Sequence, residues 1–295
     1  MKIVINADDF GLSQGTNIAI KEGHQKGILT SASLFATTPA LSEAIEIAKQ
    51  NPGLGIGIHL SLTWGKSVLP ANQIPLLVDK NGYFFPSYLR LIILSITNQN
   101  FLKQVENEFD AQINKLSQLG IGIDHINSQQ HVHMIPSLFS IVQKLAQRHR
   151  VKYVRYSNEN FFLVTNFPEI VIPFLNMNIV KFLLMKVFSL FIYLPARRRV
   201  NFIGLLYTTK TDKKVLHYIL EHVDNKLSEV LLHPAYFQIS KSDKKFFDYN
   251  KQKCLGFMKD PSRVVELTAL TNPNLKSLIS TRNIKLVSYR DLSKA

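Results

Sequence analysis

Two adjacent carboxylates near the amino terminus, Asp8 and Asp9, directly follow the apolar run Ile3–Ala7. Neighbouring side chains at the end of a strand point in different directions, so one carboxylate could bind a metal ion while the other stays free as a base. Gly11 then lets the backbone turn sharply. An isolated pair of this kind is more often a solvated turn, so it indicates a site only if other reactive residues accompany it.

A second group of polar residues lies between Asp124 and Pro136 and contains three histidines. His131 and His133 are two residues apart, which places both imidazoles on one side of an extended segment. Imidazoles arranged in this way suit metal binding or proton transfer. The alternative is a polar loop that leads into a helix at Pro136.

Other apolar runs also end in polar side chains, namely His59, Arg155 and His233. Each residue alone is weak evidence, because a single histidine on an apolar strand is usually a satisfied core residue. Pro234 favours extended geometry at His233, which would suit a general acid. Trp64, the only tryptophan, follows His59 in a loop where it could either stack on a sugar ring or pack in the core.

Short apolar runs with helical patterns between them predict an α/β fold with a parallel sheet. The predicted strands are Ile3–Ala7, Ser31–Phe35, Leu54–Leu60, Ile121–Ile126, Lys152–Arg155, Asn201–Leu206, Glu229–His233 and Ile284–Ser288. The predicted helices include Gly15–Lys26, Pro39–Gln50, Phe101–Leu119, Pro136–Arg148 and Asp212–Val223. Eight such units would close into a (β/α) barrel, and seven strands with an open edge also fit because the sixth strand is the weakest. We therefore predict one barrel-like domain over residues 1–295, with seven or eight mostly parallel strands.

In such a barrel the reactive side chains lie at the carboxyl ends of the strands. The candidates all follow or end predicted strands, and we expect them to converge on one edge. They are Asp8, Asp9, His59, Asn127, Gln129, His131, His133, Arg155, His233 and Arg290.

Five motifs occur in an order that resembles the YdjC-like carbohydrate deacetylase family, which includes diacetylchitobiose deacetylases and hopanoid-associated proteins. The motifs are Asn6–Ser13, Gly57–Gly65, His131–Pro136, His233–Ala235 and Ser288–Leu292. The resemblance spans nearly the whole chain and is weakest from about Phe161 to Asn201.

The resemblance implies a barrel-like, metal-dependent hydrolase that removes an N-acetyl group from an amino sugar. By resemblance Asp8 is the base that activates water, and Asp9 and His59 are metal ligands. His233 would protonate the leaving amine, and Arg155 could orient Asp8 through a charge-assisted pair.

The sequence departs from the family in the fourth-strand motif, which usually reads Asp-Ser-His and here reads Asn127-Ser128-Gln129. Gln129 stands where the second metal histidine belongs, and Asn127 replaces a carboxylate. A glutamine carbonyl can bind a hard cation such as Mg²⁺ but is a poor zinc ligand, so we expect a divalent metal, in the first place Mg²⁺. Three alternatives stay open: a weaker or different metal, rescue by His131, or a relative that binds a sugar or lipid without catalysis. The remaining candidates, His133, Trp64 and Arg290, would support the site or contact substrate.

The chain is basic, with 35 Lys and Arg against 21 Asp and Glu and a net charge of +14. Such a field attracts polyanions, but no nucleic-acid-binding motif is present and we expect no nucleic-acid partner. The single cysteine, Cys254, excludes an intramolecular disulfide and a multi-cysteine zinc site. The amino terminus lacks a secretory signal, which predicts a cytoplasmic protein.

The most apolar segment, Phe161–Leu194, precedes Arg197–Arg199 and forms a predicted helical insertion at about 161–200. It is compatible with a lid or oligomer-forming helix pair, with an interfacial segment on anionic lipid, or with a spanning helix. Lys181 and Lys186 oppose the spanning alternative. The interfacial alternative explains the charge of +14 and predicts association with the inner membrane face or a lipid-linked amino-sugar substrate.

Overall fold

The computed structural model describes residues 1–160, 177–195, 199–238, 240, 246 and 256–294. Its strands are β1 (Lys2–Phe10), β2 (Ser31–Leu34), β3 (Gly55–Leu60), β4 (His125–Ser128), β5 (Tyr153–Val154), β6 (Asn201–Ile203), β7 (Ser228–Leu232) and β8 (Lys285–Leu286). Its α-helices are α1 (Gln14–Gln25), α2 (Leu41–Gln50), α3 (Tyr88–Thr97), α4 (Gln99–Gln118), α5 (Pro136–Arg148), α6 (Met177–Ser189), α7 (Lys213–His222), α8 (Ser262–Leu270), α9 (Pro273–Thr281) and α10 (Tyr289–Lys294). A 3₁₀ helix spans Gln129–Met134.

The strands form one parallel sheet in the order β5-β4-β3-β2-β1-β7-β6, and β8 pairs with the beginning of β1. The central strand β1 is buried along Ile3, Val4 and Ile5, which is typical of parallel strands covered on both faces. The described strands β5 and β6 are the two edges and do not pair with each other. The sheet is therefore a curled half-barrel, which confirms the predicted barrel-like α/β fold.

Helices cover the outer face, and their first turns follow the sequence signals. Helix α1 begins after Ser13, whose hydroxyl accepts a hydrogen bond from the Thr16 amide at 3.2 Å. Helix α5 begins at Pro136, as predicted. The predicted strands are confirmed in position, although β4 begins later than predicted and β1 extends through both aspartates. Helices α3, α8 and α9 were not among the predicted ones.

The predicted insertion at 161–200 is described only in part, because residues 161–176 and 196–198 lie outside the described residues. Helix α6 belongs to it and packs Phe182, Met185 and Phe188 into the main core. None of the helices in the described part of the chain has both the length and the apolarity needed to span a membrane.

Candidate active site

The end of β1 brings both aspartates to the same place. The β1–β2 register shifts between Ala7 and Phe10, so that one extra residue of β1 lies opposite β2. Asp9 adopts φ 70°, which is uncommon outside glycine and reverses the alternation of side chains along the strand. As a result both carboxylates approach His59: Asp8 Oδ2 lies 3.9 Å from Nδ1 and Asp9 Oδ1 lies 3.7 Å from Nε2.

Asp8 accepts several hydrogen bonds, mostly on one of its oxygens. Oδ1 accepts from Asn6 at 3.0 Å, from Asn127 at 3.0 Å and from Arg155 Nη2 at 2.8 Å. Oδ2 accepts from Arg155 Nη1 at 2.6 Å. Burial alone would raise the pKa of Asp8, but the charge of Arg155 and the surrounding donors outweigh it and hold that pKa well below its usual range. Asp8 is therefore ionised at any working pH, and the outer lone pair of Oδ2 is its remaining acceptor position.

Arg155 is itself held by a second carboxylate. Its Nε and Nη2 donate to Glu229 Oε1 of β7 at 3.0 and 2.6 Å, and Tyr289 donates to Glu229 Oε2 at 2.6 Å. All of these groups are buried. This arrangement fixes the guanidinium plane against Asp8, which agrees with the predicted orienting role of Arg155.

The amide of Asn127 fixes the tautomer of His59. Its nitrogen donates to Asp8 Oδ1 and to the Ser33 hydroxyl, so its oxygen must be the atom that lies 2.7 Å from His59 Nδ1. An amide oxygen can only accept, and Nδ1 therefore carries the proton. The lone pair of Nε2 is left for the space next to Asp9 Oδ1.

Helix α8 supplies two ionisable residues that the sequence patterns did not predict, Arg263 and Glu266, and burial raises the pKa of Glu266 to about 8. Arg263, fully buried, donates to Asp9 Oδ2 at 3.1 Å and to the carbonyl oxygen of His233 at 2.9 Å. Glu266, one turn later, accepts the backbone N–H of His233 at 2.5 Å. The helix thus holds both backbone polar groups of His233 and one oxygen of Asp9. The i, i+3 spacing of Arg263 and Glu266 would have placed them on one helix face, but it gives no sign of contact with residues so distant in sequence.

The ring of His233 lies in a buried position in which Nδ1 has no hydrogen-bond partner in the described part of the chain. Burial lowers the pKa of His233 to about 4, against the opposing influence of Asp9 and Asp8. The imidazole is therefore neutral at neutral pH. An unpartnered buried nitrogen beside two carboxylates fits a substrate atom or a transferable proton.

The predicted extended segment around His131 is wrong, because Gln129–Met134 is a 3₁₀ helix with left-handed backbone at Gln130 and His131. His131 Nδ1 lies 2.9 Å from the hydroxyl of Ser157. His133 is bonded at both ring nitrogens, to the Ser128 hydroxyl at 2.5 Å and to the Arg155 carbonyl at 3.0 Å. Since the carbonyl can only accept, His133 donates from Nε2 and accepts at Nδ1, so its ring has no lone pair left for a metal.

Gln129, the predicted third ligand, is buried beside Thr63, whose hydroxyl donates to its side-chain oxygen. Within the described residues, no group of three His, Cys, Asp or Glu side chains is arranged to hold a metal ion. Asp9 Oδ1 and His59 Nε2 are a pair of conventional donor atoms that lie near each other, 3.7 Å apart, and the predicted third ligands Gln129 and His131 have Thr63 and Ser157 as their hydrogen-bond partners.

The position of Arg290 contradicts the prediction that all candidates converge on one edge of the sheet. Its Nη1 donates to the Pro52 carbonyl at 2.6 Å, and its Nε lies 3.8 Å from Asp124 Oδ2. Asp124 in turn accepts from the Ile56 amide at the beginning of β3. Arg290 therefore lies at the amino-terminal ends of the strands, opposite His59, because Tyr289 rather than Arg290 points into the sheet interior.

The ring of Phe257 lies between Trp64 and His233, the candidate acid. Its ring centroid is 5.9 Å from that of Phe257, which lies 5.9 Å from the ring of His233. Trp64 is half-buried and packs against a small cluster that includes Leu12 and Phe35. Its position suits both predicted alternatives, a wall of the site and ordinary packing.

Known proteins of one family are similar to this chain over nearly its whole length. The family model described as YdjC-like protein matches residues 2–281. Carbohydrate deacetylase 1 of Listeria innocua is 32% identical over 99% of this chain and 100% of its own length. A carbohydrate deacetylase of Geobacillus stearothermophilus is 30% identical over 99% of this chain and 98% of its own.

Among solved structures, a crystal structure of a "putative cellobiose-phosphate cleavage protein" from Enterococcus faecalis has a TM-score of 0.74. It is 26% identical and covers 99% of this chain and 98% of that chain. The fold, the order of the motifs and the full-length similarity to curated relatives lead to one conclusion: this chain belongs to the YdjC-like family.

Proposed function

We propose that this protein is a metal-dependent hydrolase that removes an N-acetyl group from an amino sugar. The single observation that carries the proposal is that Asp8 and Asp9 both approach His59 within 4 Å although they have different partners, Arg155 and Arg263. Two carboxylates in different environments can take different roles. The names of the curated relatives support deacetylation of a carbohydrate.

The donor set fits a hard divalent cation better than zinc. Asp9 Oδ1 and His59 Nε2 would hold it, with the Gln129 oxygen as a third protein donor, and Mg²⁺ accepts such oxygen ligands. When bound, the cation would act as a Lewis acid on the amide carbonyl of the substrate. Arg263 lies against the other oxygen of Asp9 and keeps that carboxylate oriented.

Asp8 would take a proton from the attacking water at Oδ2, because Oδ1 already accepts three hydrogen bonds. The hydroxyl adds to the carbonyl carbon, and the negative charge develops on the former carbonyl oxygen. A low pKa makes Asp8 a weak base, so the reaction depends on activation of the water as well as on the position of Asp8.

His233 would deliver the proton that the leaving amine needs. Its pKa of about 4 leaves it neutral in the free protein, so it would first take up a proton from solvent when negative charge on the neighbouring substrate raises the pKa of the imidazole. The imidazolium would give that proton to the leaving nitrogen, and Asp8 would return the proton it took from water to solvent. Cleavage of the C–N bond then gives acetate and a free amino sugar, with the proton on nitrogen.

The test is a measurement of acetate release from a panel of N-acetylated amino sugars, both soluble and lipid-linked, with Mg²⁺, Mn²⁺ or Zn²⁺ added. We expect acetate and free amine in equal amounts, loss of both with a chelator, and recovery when metal is restored. Absence of acetate with every substrate and metal would overturn the proposal.

A second candidate, a non-catalytic relative that binds a sugar or lipid, is favoured by Asn127 and Gln129, the two departures from the family motif. Calorimetry with the same sugars distinguishes the two functions. Binding without acetate release in any metal would favour the second candidate.

A further inference from the structure

Helix α6 and the turn after it expose a row of large apolar side chains. Val180, Leu183 and Val187 are about half exposed, and Leu190 and Phe191 are 80% and 72% exposed. Spacings of three and four residues place Val180, Leu183 and Val187 within an arc of roughly 60° on the helix, and Leu190 and Phe191 follow in the turn. We call these five residues the apolar ridge. Exposed apolar residues that occur singly are ordinary, but a contiguous row of five marks an interaction surface.

A basic cavity adjoins the end of this ridge. Its volume is about 790 Å³, and its lining includes Lys144, Arg150 and Lys152 together with Leu194 and Pro195, which follow the ridge in sequence. Gln143, also in the lining, donates a hydrogen bond to the Tyr193 carbonyl at 3.2 Å. The chain therefore runs from the ridge directly into the wall of the cavity, which brings the two features next to each other.

The charged residues around the cavity are predominantly basic. Lys144 pairs with Glu106 at 2.8 Å, whereas neither Arg150 nor Lys152 pairs with a carboxylate among the described residues. The exposed Arg199 donates through Nε to the carbonyl of Leu194, which places a further cation beside the lining. Between Glu169 and Asp212 the sequence contains six Lys or Arg residues and no Asp or Glu.

We propose that this surface binds an anionic phospholipid membrane, with lipid phosphates at the basic cavity and the apolar ridge among the acyl chains near the headgroups. An anionic leaflet presents phosphates at its surface and acyl chains just below them. Clustered cations with apolar side chains beside them can contact both layers. A second copy of the chain fits less well, because self-association through the ridge would bring two basic cavities together in a protein of charge +14. A free phosphate ion would leave the ridge unexplained. This inference does not rest on the deacetylase proposal.

Vesicle co-sedimentation of the full chain tests the proposal. We expect binding to phosphatidylcholine vesicles that contain phosphatidylglycerol, little binding to phosphatidylcholine alone, and weaker binding as salt rises. A protein that stays in the supernatant with the anionic vesicles at low salt would overturn the proposal. So would equal binding to neutral and anionic vesicles.

Two pairs of variants separate the contributions. The double change Arg150→Gln and Lys152→Gln should weaken binding roughly tenfold or more, since each cation near the leaflet adds attraction. The matched change of two exposed lysines elsewhere, Lys213→Gln and Lys276→Gln, should have a much smaller effect. Equal losses in both double variants would mean that only the net charge matters and would overturn the assignment of the cavity.

The second pair of variants tests the apolar ridge. Leu190→Ser should reduce binding, whereas Leu119→Ser, at a leucine that is 40% exposed on α4's carboxyl end, should not. Acetate release from soluble substrates should be unchanged in both, because neither residue lies in the candidate active site. Sedimentation velocity without lipid decides the main alternative: if Leu190→Ser dissociates an oligomer, the ridge is an interface between copies and the membrane proposal is wrong.

Discussion

The two aspartates at the end of β1 approach the same histidine because of one unusual backbone conformation. In a regular strand Asp8 and Asp9 would face opposite sides of the sheet. The register shift and the φ of 70° at Asp9 let both approach His59. The sequence predicts the two carboxylates but not this conformation, because nothing in the residue types requires a left-handed aspartate.

At Gln129 we predict that substitution by histidine strengthens metal binding. Gln129→His would add an imidazole to Asp9 and His59, and affinity for transition metals should rise by about tenfold or more. Gln130→His is the matched control, because Gln130 is the exposed neighbour in the same 3₁₀ helix. Metal titration by calorimetry measures both variants. An equal response in the two, or none in Gln129→His, would mean that Gln129 does not face the metal.

At the scale of elements, helix α8 is the part of the candidate site that the sequence did not reveal. Asp9 and Arg263 are 254 positions apart, and no motif links them. The strands were predictable because parallel strands buried on both faces are continuous apolar runs. Contacts made by helix side chains across the fold have no such local pattern, so Arg263 and Glu266 were recognised only from the structure.

We predict that Arg263 positions Asp9 and His233 through the geometry of its guanidinium group, and that a positive charge at this position is not sufficient for that role. Arg263→Lys keeps the charge but cannot donate to Asp9 Oδ2 and the His233 carbonyl in the same geometry. We expect metal affinity and kcat to fall by roughly 10- to 100-fold, with a smaller change in KM. Arg282→Lys, at an exposed arginine after α9, is the control. If Arg263→Lys alters thermal stability alone, the role of Arg263 is structural.

At the scale of the whole molecule, the half-barrel is joined across its open side by a buried carboxylate. Glu159, which follows β5, accepts the backbone N–H groups of Gly204, Leu205 and Leu206 after β6, each at 2.9 Å. The two edge strands do not pair with each other, so these bonds connect them. Burial raises the pKa of Glu159 to about 7 in spite of the three donors.

This carboxylate makes stability depend on pH. Since the pKa is raised in the folded protein from 4.5 to about 7, the contribution of Glu159 is fully present below pH 4.5 and is lost as pH rises through 7. The shift corresponds to about 3 kcal/mol. Thermal denaturation from pH 5 to 8 should show a steeper loss in the wild type than in Glu159→Gln. Glu46→Gln, at a surface ion pair, should follow the wild type, and identical slopes in all three proteins would refute the prediction.

The sequence was sufficient to predict the barrel-like fold as a whole, but not the side-chain directions at the last strand, β8. Arg290 was expected at the site but lies at the opposite edge, because strand β8 is only two residues long and the chain turns into α10 at Tyr289. Tyr289 reaches Glu229 in the interior instead. A short strand gives too little pattern to determine which neighbour points inward.

The division of roles between Asp8 and Asp9 is the central claim, and metal content measured together with acetate release in Asp8→Asn and Asp9→Asn tests it most directly. We predict that Asp8→Asn retains bound metal while kcat falls by about 100-fold or more, because a proton acceptor is lost. Asp9→Asn should lose metal and activity together, since the ligand itself is changed. Equal loss of metal in both variants, or an Asp8→Asn protein that releases acetate at the wild-type rate, would contradict the account.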